Sequence, residues 1–126
     1  MTPPVVLVVD DDSRNRKLVR DVLRRAGLGT LEAADGEEAI ALARAHAPDL
    51  VLMDLRLPDL DGTEALRRLK ADPATAPIPV VALTAVAGAR AALLEAGFAG
   101  YVEKPIDVLT LPAEVRRLSA VRWPTP

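Results

Sequence analysis

The stretch Val5-Val6-Leu7-Val8-Val9-Asp10-Asp11-Asp12-Ser13 sets five apolar residues directly against three carboxylates. A half-buried strand would alternate apolar and polar residues. This one is apolar on both faces, which suits a strand covered on both sides in a parallel sheet. The same pattern recurs along the chain. Leu50-Val51-Leu52-Met53 runs into Asp54 and Val80-Val81-Ala82-Leu83 into Thr84, while Gly100 to Glu103 reads as a fifth strand ending at Lys104-Pro105. Thr30 to Ala34 reads as a further strand, closed by Asp35-Gly36. Between these runs the period changes to that of a helix. Leu18, Val19, Val22, Leu23 and Ala26 share one face, with Ser13 or Asp12 placed to cap the start and Gly27 to end the helix. Further helices are expected over Glu37 to Ala47, Thr63 to Ala71, Ala89 to Ala96 and about Leu111 to Ala120. Five strands alternating with five helices predict an α/β doubly wound, five-stranded parallel sheet, flavodoxin-like, with helices on both faces. Its expected strand order is 2-1-3-4-5.

Length and composition agree with one such unit. The chain has 126 residues, about the usual size of a single domain. The expected core spans about residues 5–120, with a short tail at 121–126. Half of the residues are hydrophobic and 27% are charged, enough for one packed core and a solvated surface. The formal charge of −2 gives no net pull toward nucleic acid or anionic lipid, so no direct nucleic-acid partner is expected. There is no cysteine, which excludes disulfides, thiolate metal sites and thiol nucleophiles, and a single histidine, His46, excludes multi-histidine metal sites. No apolar run is long enough to insert in a membrane, and Met1-Thr2-Pro3-Pro4 lacks a basic leader, so the cytoplasm is the expected location.

The polar residues that carry information stand at the carboxyl ends of the strands, where open α/β sheets build their sites. Asp10 and Asp11 follow the first strand, Asp54 the third, Thr84 the fourth and Lys104 the fifth. With the order 2-1-3-4-5, Asp10, Asp11 and Asp54 crowd into one pocket. Two like charges ~4 Å apart repel by about 4 kcal/mol at an effective dielectric near 20. Either one carboxyl is protonated or a cation sits among them. Oxygen-only ligands favour a hard ion, Mg²⁺ first. A carboxylate beside such an ion, with a lysine and a hydroxyl at hand, suits phosphoryl transfer.

Val8-Val9-Asp10-Asp11-Asp12, Leu52-Met53-Asp54-Leu55-Arg56-Leu57-Pro58-Asp59-Leu60-Asp61-Gly62, Ala82-Leu83-Thr84-Ala85 and Tyr101-Val102-Glu103-Lys104-Pro105 together closely resemble the receiver domain of two-component response regulators. The resemblance covers Val5 to about Leu118 and is nearest to stand-alone receivers. It implies that Asp54 accepts a phosphoryl group from a phosphohistidine on a sensor histidine kinase or histidine phosphotransfer protein. Asp11 would ligate Mg²⁺ directly, Asp10 through water or alongside it, and Arg56 through its backbone carbonyl. Thr84 would donate its hydroxyl to the phosphoryl group and Lys104 would pair with Asp54. The Lys104–Pro105 bond would be cis, and Tyr101 would be the switch aromatic. Output is expected by docking of helix 4, strand 5 and helix 5 on a downstream protein. Turnover is expected only of the chain's own phosphoryl group. The segment from Thr84 to Tyr101 is shorter than the family usually shows by about half a helical turn. The loss falls around Val86-Ala87-Gly88-Ala89, so helix 4 is expected to start late or to be partly irregular.

Two other readings compete. Asp10 and Asp12 match the Asp-x-Asp signature of haloacid-dehalogenase-like phosphohydrolases, but that family needs an acidic pair after the lysine, and only Asp107 and Glu114 follow Lys104. A pseudo-receiver, never phosphorylated, usually lacks an acidic residue or the lysine, and neither is missing. Simpler roles account for other residues. Asp12 reads as a helix cap, Asp59 and Asp61 as turn residues, and His46 as a solvated cation at a helix end. Arg14, Arg16, Arg20, Arg24 and Arg25 read as a solvated helix face.

Overall fold

The computed structural model describes residues 3–86 and 88–118. Its elements alternate as the hydrophobic periods require: β1 (Val5–Val9), α1 (Ser13–Arg25), β2 (Gly29–Ala33), α2 (Gly36–His46), β3 (Leu50–Asp54), α3 (Gly62–Ala71), β4 (Val80–Thr84), α4 (Arg90–Ala96), β5 (Gly100–Glu103) and α5 (Leu111–Leu118). All strand pairs are parallel and the order is β2-β1-β3-β4-β5. The expected extension of α5 to Ala120 and the tail at 121–126 lie outside the described residues, as does Ala87.

The apolar strands bury alternate residues on opposite faces. Leu7, Val9, Val51, Met53, Val80 and Ala82 form one core with Ala39 and Ala43 of α2, Leu66 and Leu69 of α3, and Leu93 of α4. Val6, Val8, Leu50, Leu52, Val81 and Leu83 form the second with Val19 and Leu23 of α1 and Leu111 and Val115 of α5. Burying each of these larger side chains contributes about 1.5–3 kcal/mol relative to leaving it exposed. Both faces of the central strands are thus sealed, and only the strand ends remain open for polar groups.

The helix ends follow from named caps. Asp12 caps α1, accepting the Arg14 N–H at 2.9 Å. Gly27, at φ 89°, closes the other end: its N–H bonds Arg24 O at 3.0 Å and the Leu28 N–H bonds Leu23 O at 3.0 Å. Asp35 caps α2 through the Glu38 N–H at 2.8 Å, while Glu38 reaches back to the Ala34 N–H at 2.7 Å. α2 stops at His46 rather than Ala47, because Ala47 turns left-handed (φ 45°) ahead of Pro48. α4 begins at Arg90, and its cap residue, Ala89, offers no side-chain hydrogen bond. The late start expected from the short Thr84–Tyr101 segment is therefore present.

Candidate active site

Four strands deliver the site. Asp10 follows β1, Asp54 is the last residue of β3, Thr84 the last of β4, and Lys104 follows β5. The Lys104 N–H bonds Thr84 O at 2.8 Å, which fixes the end of β5 against the end of β4. The Lys104–Pro105 peptide is cis.

One carboxylate oxygen from each of Asp10, Asp11 and Asp54 lies within 4.8 Å of the others. Asp10 and Asp54 are buried and Asp11 is exposed. Lys104 enters this cluster from β5. Its Nζ is 2.9 Å from Asp54 Oδ2 and 3.6 Å from Asp10 Oδ2. Burial alone would pull the lysine pKa down. The hydrogen bond it donates to Asp54 and the charges of Asp10 and Asp54 outweigh it, so the net shift is upward and the ammonium is held charged. Burial is also the main influence on Asp10, where it raises the carboxyl pKa. The Asp54 charge adds to the rise, and the Asp12 N–H and Lys104 oppose it.

The other contacts orient these groups. Asp54 Oδ1 accepts the Arg56 N–H at 3.1 Å. Asp10 Oδ1 accepts the Asp12 N–H at 2.9 Å, and Asp10 Oδ2 faces Asn15 Nδ2 at 3.4 Å. Thr84, only 3% exposed, accepts the Val86 N–H on its hydroxyl at 3.0 Å. A cleft of about 400 Å³, lined by Asn15, Leu18, Ala85, Lys104, Pro105 and Ile106, opens beside the lysine. Tyr101 sits further along, half-buried against the α2–α3–α4 core, and lines a second cleft of about 410 Å³ with Arg90, Glu103 and Arg117. Asp10, Asp11, Asp54 and Lys104 are thus brought together, Thr84 joins them at the neighbouring strand end, and Tyr101 stands apart on the β5 surface.

The family model for the response regulator receiver domain matches residues 6–116. The chain belongs to the response regulator receiver domain family. It is a phospho-acceptor switch of two-component signalling. It is 42% identical over 108 residues to the polar-differentiation response regulator DivK of Brucella anthropi, covering 84% of this chain and 88% of that one. Among solved structures, a putative response regulator from Chloroflexus aurantiacus superposes with a TM-score of 0.87 at 34% identity, over 94% of this receiver and 98% of that chain. The receiver domain of sensor histidine kinase PA1611 from Pseudomonas aeruginosa PAO1 superposes with a TM-score of 0.84 at 33% identity, over 94% and 98%. That domain holds a magnesium ion in its active-site cleft. The phosphohydrolase reading is not favoured, and Asp12 shows why: its carboxylate is spent on the start of α1. The pseudo-receiver reading is not favoured either, since the acidic cluster and its lysine are both in place.

Three residues have partners that sequence spacing does not reveal. Arg16 and Arg20 are not part of a fully solvated face. Both pair with Glu32 of β2, and Arg16 also donates to the Asp10 carbonyl at 2.7 Å. Asp59 is more than a turn residue, because it binds the first amides of α2. The available signal for the arginines was Glu32 itself, a charge in the strand expected beside β1. Among the described residues no helix is long and apolar enough to cross a membrane.

Proposed function

We propose that Asp54 is the phospho-acceptor of this receiver and that Asp10, Asp11, Asp54 and the backbone carbonyl of Arg56 hold a Mg²⁺ ion. The observation that carries the reading is the 2.9 Å contact of Lys104 Nζ with Asp54 Oδ2 inside a cluster of three carboxylates. The donor set fits the ion: it is all oxygen, it is rich in negative charge, and Lys104 offsets only part of that charge. When bound, Mg²⁺ supplies positive charge for the equatorial phosphoryl oxygens.

In this reading an Asp54 carboxylate oxygen attacks the phosphorus of a phosphohistidine in line. The N–P bond breaks with its electron pair on the imidazole nitrogen, and an acyl phosphate forms on Asp54. Lys104, already seated on Asp54, turns to the new phosphoryl oxygens without crossing the site. The Thr84 hydroxyl accepts the Val86 N–H and still has its own proton to donate, so it can swing onto the phosphoryl group. The volume it leaves beside β4 is open to Tyr101, which pairs with Ala82 in the β4–β5 register. Hydrolysis by water returns Asp54 and inorganic phosphate, so the chemistry is directed at the chain's own phosphoryl group.

The donor is a sensor histidine kinase or a histidine phosphotransfer protein. Output passes through α4, β5 and α5 to a downstream protein in the cytoplasm, and the family match over residues 6–116 supports one receiver domain. Intact mass after treatment with acetyl phosphate and Mg²⁺ tests the assignment. One added phosphoryl group is expected, and none in Asp54→Asn. Full labelling of that variant would overturn it.

A further inference from the structure

We propose that Arg16 is a positioning residue for the divalent-cation site, acting through the Asp10–Asp11 peptide. The inference rests on the acidic cluster being a Mg²⁺ site. Arg16 Nη1 donates to the Asp10 carbonyl at 2.7 Å. That carbonyl belongs to the peptide leading into Asp11. A peptide is a rigid plane, so pinning its oxygen sets the direction in which Asp11 leaves the chain. The Asp10 carboxylate has separate supports in the Asp12 N–H, Asn15 and Lys104. Asp11 is exposed, and its aim depends on the backbone that carries it.

The guanidinium is itself held. Arg16 Nε lies 3.4 Å from Glu32 Oε1, and Arg20 Nη1 takes Glu32 Oε2 at 3.1 Å. The Arg16 side chain is 19% exposed, whereas the neighbouring Arg14 side chain is 91% exposed. A planar fork that serves a carboxylate and a carbonyl at once is a task for arginine rather than lysine. Glu32 on β2, Arg16 on α1 and the Asp10 carbonyl therefore form a bonded path from the sheet to the metal loop. Such outer contacts typically change metal affinity by about tenfold or more.

Mg²⁺ titration calorimetry on the full unphosphorylated chain tests this. Arg16→Ala is expected to weaken Mg²⁺ about tenfold. Arg20→Ala removes a cation from the same Glu32 without touching the Asp10 carbonyl, and is expected to bind Mg²⁺ like wild type. Arg16→Lys keeps one donor and is expected to recover part of the loss. In acetyl phosphate labelling, the half-saturating Mg²⁺ concentration should rise in Arg16→Ala while the rate at saturating Mg²⁺ holds. Wild-type affinity in Arg16→Ala, or an equal loss in Arg16→Ala and Arg20→Ala, overturns the inference. If Arg16→Ala does not fold, Glu32→Gln carries the test, since it loosens the guanidinium and leaves every ligand in place; a partial loss is expected, and unchanged affinity overturns the inference. If wild type takes up no Mg²⁺, the metal reading itself falls, and this inference with it.

Discussion

Asp59, in the loop after β3, binds Gly36 at the start of α2: its Oδ1 accepts the Gly36 N–H at 2.8 Å. Its Oδ2 accepts the next amide, Glu37, at 2.9 Å. The loop that follows Asp54 is thereby tied to the positive end of a helix on the same face of the sheet. Burial pushes the Asp59 carboxyl up, but these two N–H donors together with the amides of Asp59 and Leu60 outweigh it, and the net shift is downward. A carboxyl whose folded pKa is depressed stabilises the fold above its unfolded pKa. That stability is lost as pH falls through the folded value. Asp59→Ala is expected to cost about 1 kcal/mol near neutral pH, as loss of a helix cap does. The cost should shrink below the ordinary carboxylate range, where wild type loses the same contact. Urea denaturation at neutral and acid pH measures both, and a cost independent of pH would refute the charge-based part.

The metal gives a second prediction. Asp10, Asp11 and Asp54 repel, and Lys104 cancels one charge of the three. A cation that binds only the folded chain stabilises it by mass action, by about 1.4 kcal/mol at ten times its Kd. The melting temperature should therefore rise with millimolar Mg²⁺. Asp11→Ala should abolish most of the rise and leave the core intact, because Asp11 is exposed. A wild-type melting temperature indifferent to Mg²⁺ would count against the site.

Gly62 gives a third. It is the first residue of α3, where alanine would gain about 1 kcal/mol in helix propensity. A Cβ there would stand 2.8 Å from Leu55 Cα and 3.0 Å from Asp54 O, and both are backbone atoms that cannot swing aside. The clash wins: overpacking typically costs roughly 1–3 kcal/mol, and here it pushes on the backbone of Asp54 and Leu55. Gly62→Ala should be less stable in denaturant and slower to label with acetyl phosphate. A more stable variant would mean that the loop relaxes freely.

The reading of the sheet from sequence worked because β1, β3 and β4 are apolar on both faces and run into a polar residue. Val5–Val9 and Leu50–Asp54 show that signature directly, and the strand order brings their ends together. Gly29–Ala33 is a sheet edge, mostly half-buried, and its start was placed one residue late. Asp10, Asp54 and Lys104 were legible because position after a strand fixes where a side chain emerges. Arg16 was not, because helical spacing alone puts it among solvated arginines. Only the packing of α1 beside β2 brings Glu32 within 3.4 Å of it. Gly62 reads as turn punctuation in sequence, and the close approach of Leu55 is a tertiary fact.

The last prediction concerns the switch. Thr84 bonds the Val86 N–H, so moving the hydroxyl to a phosphoryl group breaks a contact that organises the start of the β4–α4 segment. Among its described residues, Ala89 packs against the apolar core. Val86 is 55% exposed, Gly88 sits at φ 79°, and Ala89 leaves the first amides of α4 without a side-chain acceptor. Amides that lack buried partners open at little cost. Without phosphate, the amides of Gly88, Ala89 and Arg90 should exchange fastest among the internal segments. Phosphorylation adds two negative charges beside Lys104 and Thr84. A few kcal/mol of differential contact is enough to invert a two-state population. Once Thr84 is fixed on the phosphoryl group and Tyr101 has turned inward, α4 gains a wall to pack on, and the same amides should slow. Amide hydrogen exchange with and without a beryllofluoride mimic reads this residue by residue. Equal protection in both states, with changes confined to other segments, would break the proposed link between Thr84 and the α4 face.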